Sequence, residues 1–297
     1  LKIFFIVNPV AGRKKALAIW ESLKPLIDYP YDFALTEGPG KATAIAKEAV
    51  EAGYDRIVAV GGDGTVREVA RALSGTEALL GVIPAGTGND FVRSVGISQN
   101  PQKALETVKN GKVRSIDLIK VDDNCFINVA GTGLDAEVAD AVNKYMRFLR
   151  GTPAYVMELV KALATFSPRR AVIEIDGRVL HRKVWLVSIG NARYYGGGMM
   201  ICPDALLDDG LLDVCIVNSI GRMELLRFLP SVFTGKHKNH PAYEVFRGKK
   251  VRVEFERPTK VHADGDVIGT TPVEFSVEPG ALKVITGEYN SASFRQK

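Results

Sequence analysis

At 297 residues, with 46% apolar and 25% charged side chains, the chain has the composition of a soluble globular protein, long for one domain and comfortable for two. Its net charge of +5 suits phosphate ligands or an anionic membrane surface, and no block of like charge marks a nucleic-acid tail, so nucleic acid is not an expected partner. No run reaches the ~18 apolar residues that span a bilayer and no signal peptide precedes the first strand, so any membrane contact is expected to be peripheral.

The first ~118 residues alternate strand and helix signals. Residues 3–7 read as a buried strand, followed by the turn Asn8-Pro9-Val10-Ala11-Gly12 and a helix through Leu23. A strand over 31–35 and a helix over 42–52 come next. The strand 57–60 runs into Gly61-Gly62-Asp63-Gly64-Thr65 and a helix over 65–74, where Thr65 and Glu68 fit a capping box. A strand over 80–83, the turn Pro84-Ala85-Gly86-Thr87-Gly88-Asn89-Asp90 and a helix over 101–110 complete the pattern. Repeated βα units with nearly continuous apolar strands predict a mostly parallel sheet covered on both faces.

After Ile116 strand-like stretches dominate, at 116–121, 125–129, 171–175, 178–189, 211–217, 250–256, 259–263, 273–277 and 281–285. The turns Asp122-Asp123-Asn124, Asp176-Gly177 and Asp264-Gly265 punctuate them and predict antiparallel hairpins. Helical patterns cover about 136–166 and 222–233, with Pro230 interrupting the second. The basic stretch Lys236 to His240, including His237, reads as a solvated loop. The expected organisation is an α/β domain over 1–118 and an antiparallel β-sandwich with helices over 119–285, residues 286–297 returning to the first domain.

Three glycine-rich turns, 8–12, 61–65 and 84–90, each follow a strand, and ligands of open parallel sheets bind beyond the carboxyl ends of strands. Glycines there let backbone N–H groups approach a phosphate, and an acidic Asp63 in such a cradle makes sense with a metal or a proton transfer. Neither G-x-x-x-x-G-K-[ST] nor G-x-G-x-x-G occurs at these turns, which removes support from P-loop and dinucleotide readings. Arg13, Lys14 and Lys15 are placed to meet phosphate or simply to solvate a first helical turn. On residue types alone, Asp204, Asp208 and Asp209 are either a hard-cation site or a solvated turn, and Asp264-Gly265 a hairpin turn that can also project a carboxylate. Cys125, Cys202 and Cys215 lack metal-ligand spacing, which points to a reducing, cytoplasmic compartment.

Asn8-Pro9-x-Ala11-Gly12, Gly61-Gly62-Asp63-Gly64-Thr65 and Pro84-x-Gly86-Thr87-Gly88-Asn89-Asp90-Phe91 resemble the bacterial diacylglycerol kinase and lipid kinase family. The resemblance continues through Gly131-x-Gly133-Leu134-Asp135, the run Asn191 to Gly198, Pro203-Asp204-Ala205-x-x-Asp208-Asp209-Gly210 and Asp264-Gly265-Asp266, in order and over nearly the whole chain. It implies an ATP-dependent kinase of a lipid hydroxyl. Asn8, Pro9, Val10, Ala11, Gly12, Thr36, Gly61, Gly62, Asp63, Gly64, Thr65, Val66, Arg67 and Thr87 match ATP-contacting positions, with Asp63 organising the ATP–Mg²⁺ phosphates. Asp264 and Asp266 match the acidic pair that supplies the base, and Arg13, Asp90 and Asp117 a charged network around the nucleotide loops. Asp209 with the carbonyls of Leu206 and Leu211 matches a structural Mg²⁺ site.

Two positions depart from the family pattern: Arg67 stands where Asn is common, and Asp266 where many relatives have Glu. The shorter Asp266 gives Asp264 weight as the base and leaves the choice between them open. A lipid acceptor, most simply diacylglycerol, implies work at the bilayer surface on the inner face of the membrane. Met146, Phe148, Leu149, Tyr155, Val156, Leu159, Val160 and Leu163, interleaved with Lys144, Arg147, Arg150 and Lys161, form one amphipathic basic segment; Leu225 to Phe233 form another. For both, core packing is the alternative. A soluble acceptor such as NAD and a nucleotide-binding regulator without turnover are the rival functions, and the sequence leaves the oligomeric state, a homodimer included, open.

Overall fold

A computed structural model describes residues 2–122, 124–145 and 152–288, and it divides the chain into two compact units, residues 1–117 with 280–297 and residues 118–279. Unit 1 runs β1 (Ile3–Val7), α1 (Ala11–Leu23), β2 (Tyr31–Leu35), α2 (Lys41–Glu51), β3 (Arg56–Gly61), α3 (Asp63–Leu73), β4 (Leu79–Pro84), α4 (Asp90–Ser94) and α5 (Pro101–Asn110), then enters β5 (Lys112–Val121). Its strands pair in parallel in the order β2–β1–β3–β4. The chain returns at Gly280, and Lys283 and Val284 of its last strand extend the sheet in parallel beside Leu79 and Leu80. Ile3, Phe5, Val7, Val58, Val60 and Ile83 pack with Trp20 and Leu23 of α1, which is why these strands read as continuous apolar runs.

Unit 2 continues with β6 (Asn124–Phe126), β7 (Val129–Gly133), α6 (Leu134–Tyr145), α7 (Thr152–Thr165), β8 (Arg169–Ile175), β9 (Arg178–Gly190), and the short β10 (Tyr194–Tyr195) and β11 (Met199–Met200). After them come β12 (Leu212–Asn218), α8 (Arg222–Val232), β13 (Tyr243–Gly248), β14 (Lys250–Phe255), β15 (Lys260–Ala263), β16 (Asp266–Thr270) and β17 (Val273–Thr286). Its pairings are antiparallel: β9 takes β7, β8 and β12, β15 joins β7 to β16, and β14 joins β8 to β17. One apolar core fills the sandwich around Ile173, Val214, Val253 and Phe275; a second lies under α6, α7 and α8, around Trp185 and Leu229.

The parallel sheet, the sandwich and the hairpins at Asp176-Gly177 and Asp264-Gly265 stand as the sequence predicts, while Asp123 of the third predicted turn lies outside the described residues. Asp176-Gly177 and Asp264-Gly265 are left-handed pairs (φ 47° and 86°, 48° and 87°) between directly paired strands, the geometry of a type I′ turn. Several local expectations do not hold. Of the helical segment predicted over 136–166, α6 and α7 cover 134–145 and 152–165 and the residues between them lie outside the described residues; Pro230 falls in the last turn of α8, which continues to Val232. Predicted strands 273–277 and 281–285 are one strand, β17, while β13 and β16 carried no sequence signal. His237 is buried at 1% exposure, with Nε2 3.2 Å from Ile201 O and its ring edge-on to Tyr243, instead of lying in a solvated loop. The capping box is absent, since α3 begins at Asp63 behind Gly62. Of the first amphipathic segment, residues 146–151 and the side chains of 152–156 lie outside the described residues.

Candidate active site

The three glycine-rich turns meet at the carboxyl ends of β1, β3 and β4. Asn8 stitches the first to the second: its backbone N–H donates to Val60 O at 3.0 Å and its Nδ2 to Thr65 Oγ1 at 2.9 Å. Gly12, Arg13 and Lys14 are left-handed in succession (φ 57°, 60° and 70°), so α1 turns regularly only beyond them. A Cβ on Gly12 would overlap the carbonyl oxygen of Ala85, so the first turn packs directly on the third. The second and third turns close in the same way. Ala85 N–H donates to Gly61 O at 2.8 Å, and a Cβ on Gly86 would overlap the Cα of Gly62. Only bare backbone allows this approach. Val10, Gly64, Thr87 and the side chains of Arg13, Lys14 and Lys15 remain at the surface.

Asp63 opens α3 half-buried, and its Oδ1 accepts from Phe91 N–H at 3.2 Å. Burial pushes the Asp63 carboxyl above the usual carboxylate range, against the backbone amides of Phe91, Asp90 and Asn89, which favour its charge. Asn89, left-handed at φ 53°, closes the third turn by accepting from Gly86 N–H at 3.0 Å. Thr36 is buried at the end of β2, its N–H on Val7 O; Val66 is buried and Arg67 half-buried on α3. Asp90 and Asp117 are buried, and Asp117 Oδ1 accepts from Gly280 N–H at 2.8 Å. Arg13 is exposed in the first turn. Glu68, expected to cap its own helix, instead accepts from the N–H groups of Gly40 and Ala42 (2.9 and 3.0 Å) and fixes the start of α2.

In unit 2, both carboxylate oxygens of Asp264 are engaged by backbone. Oδ2 accepts from Ile127 N–H at 2.9 Å; Oδ1 accepts from Asn128 and Val129 at 2.9 and 3.2 Å. Asn191 holds that segment from the other side, donating from Nδ2 to Ile127 O and from its backbone to Asn128 O. Asp264 is thereby the anchor of its hairpin. Asp266, opposite Ala263 on β16, is exposed. Two residues before the turn, His262 Nε2 lies 3.3 Å from Asp135 Oδ2, which also accepts from Ser188 Oγ at 2.9 Å; all three side chains are buried. Asn191, Ser188 and His262 reveal these positioning roles only through strand pairing, so no local pattern signals them.

Asp209 Oδ1 accepts from Leu211 N–H at 3.2 Å, beside Asp204, Asp208 and the buried Asp213. No cluster of three His, Cys, Asp or Glu among the described residues forms a metal cage. The oxygens on offer are those a hard cation takes. Burial, with Asp209 and Asp204 adding to it, pushes Asp213 up to about 6 despite its pairing with Arg247, and its Oδ2 has no hydrogen-bond partner. Under α7 and α8, Leu134, Leu159, Leu186, Met199 and Phe228 line a narrow apolar cavity of about 40 Å³ with Asp135 in its wall.

Residues 2–121 match the family described as the diacylglycerol kinase catalytic domain, and residues 128–286 the YegS C-terminal NAD kinase beta sandwich-like domain. A diacylglycerol kinase of Mycobacterium tuberculosis is 39% identical over 294 residues, covering 96% of this chain and 94% of its own. A diacylglycerol kinase of Bacillus subtilis is 33% identical with 91% of each chain covered, and a probable lipid kinase YegS-like of Pseudomonas fluorescens 32% identical with 84% and 83% covered. The crystal structure of a diacylglycerol kinase from Bacillus anthracis superposes with a TM-score of 0.73 at 25% identity, covering 97% of both chains.

Proposed function

We propose that this chain, which belongs to the diacylglycerol kinase catalytic-domain family, transfers the γ-phosphate of ATP to the hydroxyl of diacylglycerol to give phosphatidic acid. The family makes it a kinase; the observation that carries a lipid acceptor is that relatives 32–39% identical over most of both chains are named diacylglycerol kinase or lipid kinase, and the apolar lining of the narrow cavity in unit 2 agrees with it.

Unit 1 holds the donor. Backbone N–H groups of the packed turns, with residues 8–12, Thr36, 61–67 and Thr87 around them, bind the nucleotide, and Asp63 orients the metal–phosphate group. Mg²⁺ bound with ATP supplies charge neutralisation for the transferring phosphoryl group. A cation at Asp209 and the carbonyls of Leu206 and Leu211 would be structural. Unit 2 holds the base. With Asp264 committed to three backbone amides, we assign proton acceptance to Asp266: the acceptor oxygen bonds to the γ-phosphorus, the bond to the ADP oxygen breaks, and the hydroxyl proton passes to the Asp266 carboxylate.

The reading is tested by following ADP release with ATP and Mg²⁺ while the acceptor is varied. Release that depends on diacylglycerol and falls at least a hundredfold in Asp63→Ala supports it. Release driven by NAD but not by diacylglycerol overturns it.

A further inference from the structure

We propose that Asp135 is a positioning residue of the phosphoryl transfer: through His262 it fixes the register of the β15–β16 hairpin that carries the base, a role that rests on the proposed reading of Asp266 as that base. Asp266 opens β16, whose five residues are all exposed and which pairs, among the described strands, with β15 alone. No residue of β16 enters a core, so the place of the Asp266 carboxylate is inherited from β15. The pairing of the two strands shifts register between Val261 and His262, an irregularity of the kind that re-aims the side chains beyond it. What holds His262 therefore decides where Asp266 stands.

Three strands carry one row across the sheet at this point: His262 on β15 stands opposite Gly131 on β7, which stands opposite Ser188 on β9. Cross-strand partners share a face of the sheet, and Val261 and Ala263, on the other face, belong to the sandwich core. The row is open in the middle, where Gly131 has no side chain, and the Asp135 carboxylate fills the opening. A Cβ on Gly131 would fall 2.3 Å from Asp135 Oδ2 and 3.2 Å from His262 Nε2. From there Oδ2 accepts from Ser188 Oγ at 2.9 Å on one side and from His262 Nε2 at 3.3 Å on the other. Oδ1 accepts from Ala136 N–H at 2.8 Å, in the first turn of α6. Gly133, left-handed at φ 105°, makes the turn from β7 into α6 that brings Asp135 back over Gly131. The run Gly131-x-Gly133-Leu134-Asp135 is one device: a carboxylate that staples β15 to β9 across a glycine.

Asp135 is what orients the imidazole. His262 Nδ1 is buried without a hydrogen-bond partner among the described residues, and the ring is otherwise held by stacking on Tyr195, 6.2 Å away and 13° from parallel. With both oxygens already accepting, Asp135 acts through the strand and leaves the acceptor proton to the hairpin. Asp135 and Tyr195 also line the apolar cavity, so the cavity wall and the strand that carries the base share one carboxylate. The far end of α6 meets the tip of the same hairpin, where Asn143 Nδ2 donates to Gly265 O at 2.8 Å.

The test is a set of substitutions at His262 in the full chain, read by two-substrate kinetics and by hydrogen exchange over residues 260–270. His262→Gln keeps an amide donor at the place of Nε2, His262→Asn ends short of Asp135, and His262→Leu removes the donor and keeps the bulk. In the Asn and Leu variants kcat is expected to fall about a hundredfold with KM for ATP within about twofold of wild type, because a base displaced by ~1 Å costs the chemical step and not nucleotide binding. Exchange over 260–270 is expected to quicken about tenfold in the same two variants, and His262→Gln to bring both readouts back to within about threefold of wild type. Asp135→Ala and His262→Asn combined are expected to be slower than either alone by no more than about twofold, since both break one link. If His262→Leu does not fold, the contrast between Gln and Asn decides. Wild-type kcat and exchange in His262→Asn overturn the proposal, as do additive losses in the double variant. So does a kcat that falls equally in the Gln and Asn variants in step with melting temperature. Near wild-type kcat in Asp266→Asn, with the Gln–Asn contrast intact, removes Asp266 as base and keeps Asp135 as the positioning residue of its hairpin; wild-type kinetics in His262→Asn, with kcat lost in Asp266→Asn, does the reverse.

Discussion

Replacing Asp264 and Asp266 one at a time separates anchor from base. In Asp264→Asn one carboxylate oxygen becomes an amide nitrogen, which faces backbone donors that it cannot satisfy. Three N–H groups converge on the native carboxylate, from Ile127, Asn128 and Val129, whose residues are 1%, 4% and 0% exposed. Losing one or two charge-assisted bonds at ~1.5–3 kcal/mol each, part of it recovered by the remaining oxygen, gives a destabilisation of about 2–4 kcal/mol. Asn accepts the left-handed turn as readily as Asp, so backbone strain adds nothing. For a unit of this size the loss corresponds to a fall in melting temperature of roughly 5–15 °C. Asp266→Asn, at an exposed strand position, costs under ~1 kcal/mol, while kcat falls by about 10²–10⁴. Calorimetry and steady-state kinetics on both variants decide the matter. Wild-type stability in Asp264→Asn, or near wild-type kcat in Asp266→Asn, would refute the division of roles.

Gly86→Ala forces apart the second and third turns and is expected to cost ~1–3 kcal/mol and to raise the KM for ATP well above any change in the acceptor KM, as read by two-substrate kinetics. Burial holds the His237 imidazole below its ordinary value, so its contribution to stability is full above pH ~6.5 and is lost as pH falls through the depressed value. The drop in melting temperature between pH 7.5 and 5.5 is therefore expected to be larger for the wild type than for His237→Gln, and equal drops would exclude His237 as its source.

The parts legible in the sequence were those set by local pattern. Buried parallel strands read as apolar runs, and Asp-Gly pairs announced type I′ hairpins at 176–177 and 264–265. What escaped was set at long range. Thr65 and Glu68 satisfy a capping box on paper, yet Thr65 Oγ1 serves Asn8, 57 residues away, and Glu68 serves α2. β13 and β16 are edge strands with many exposed positions, and such strands lack the alternation that identifies half-buried ones. His237 sits between two exposed lysines, and only the short 3₁₀ turn Lys236–Asn239 points it inward. The acidic pair near the C-terminus was visible, but the commitment of Asp264 to the 127–129 amides depends on β7 pairing with β15, which no spacing encodes.

The most direct measurement is transfer of label from [γ-³²P]ATP by the purified chain to a panel of diacylglycerol, sphingoid base, undecaprenol and NAD, with products separated by thin-layer chromatography. Label in phosphatidic acid, at a rate well above every other acceptor, is the predicted result. Label on NAD alone, or in inorganic phosphate regardless of acceptor, would contradict a diacylglycerol kinase.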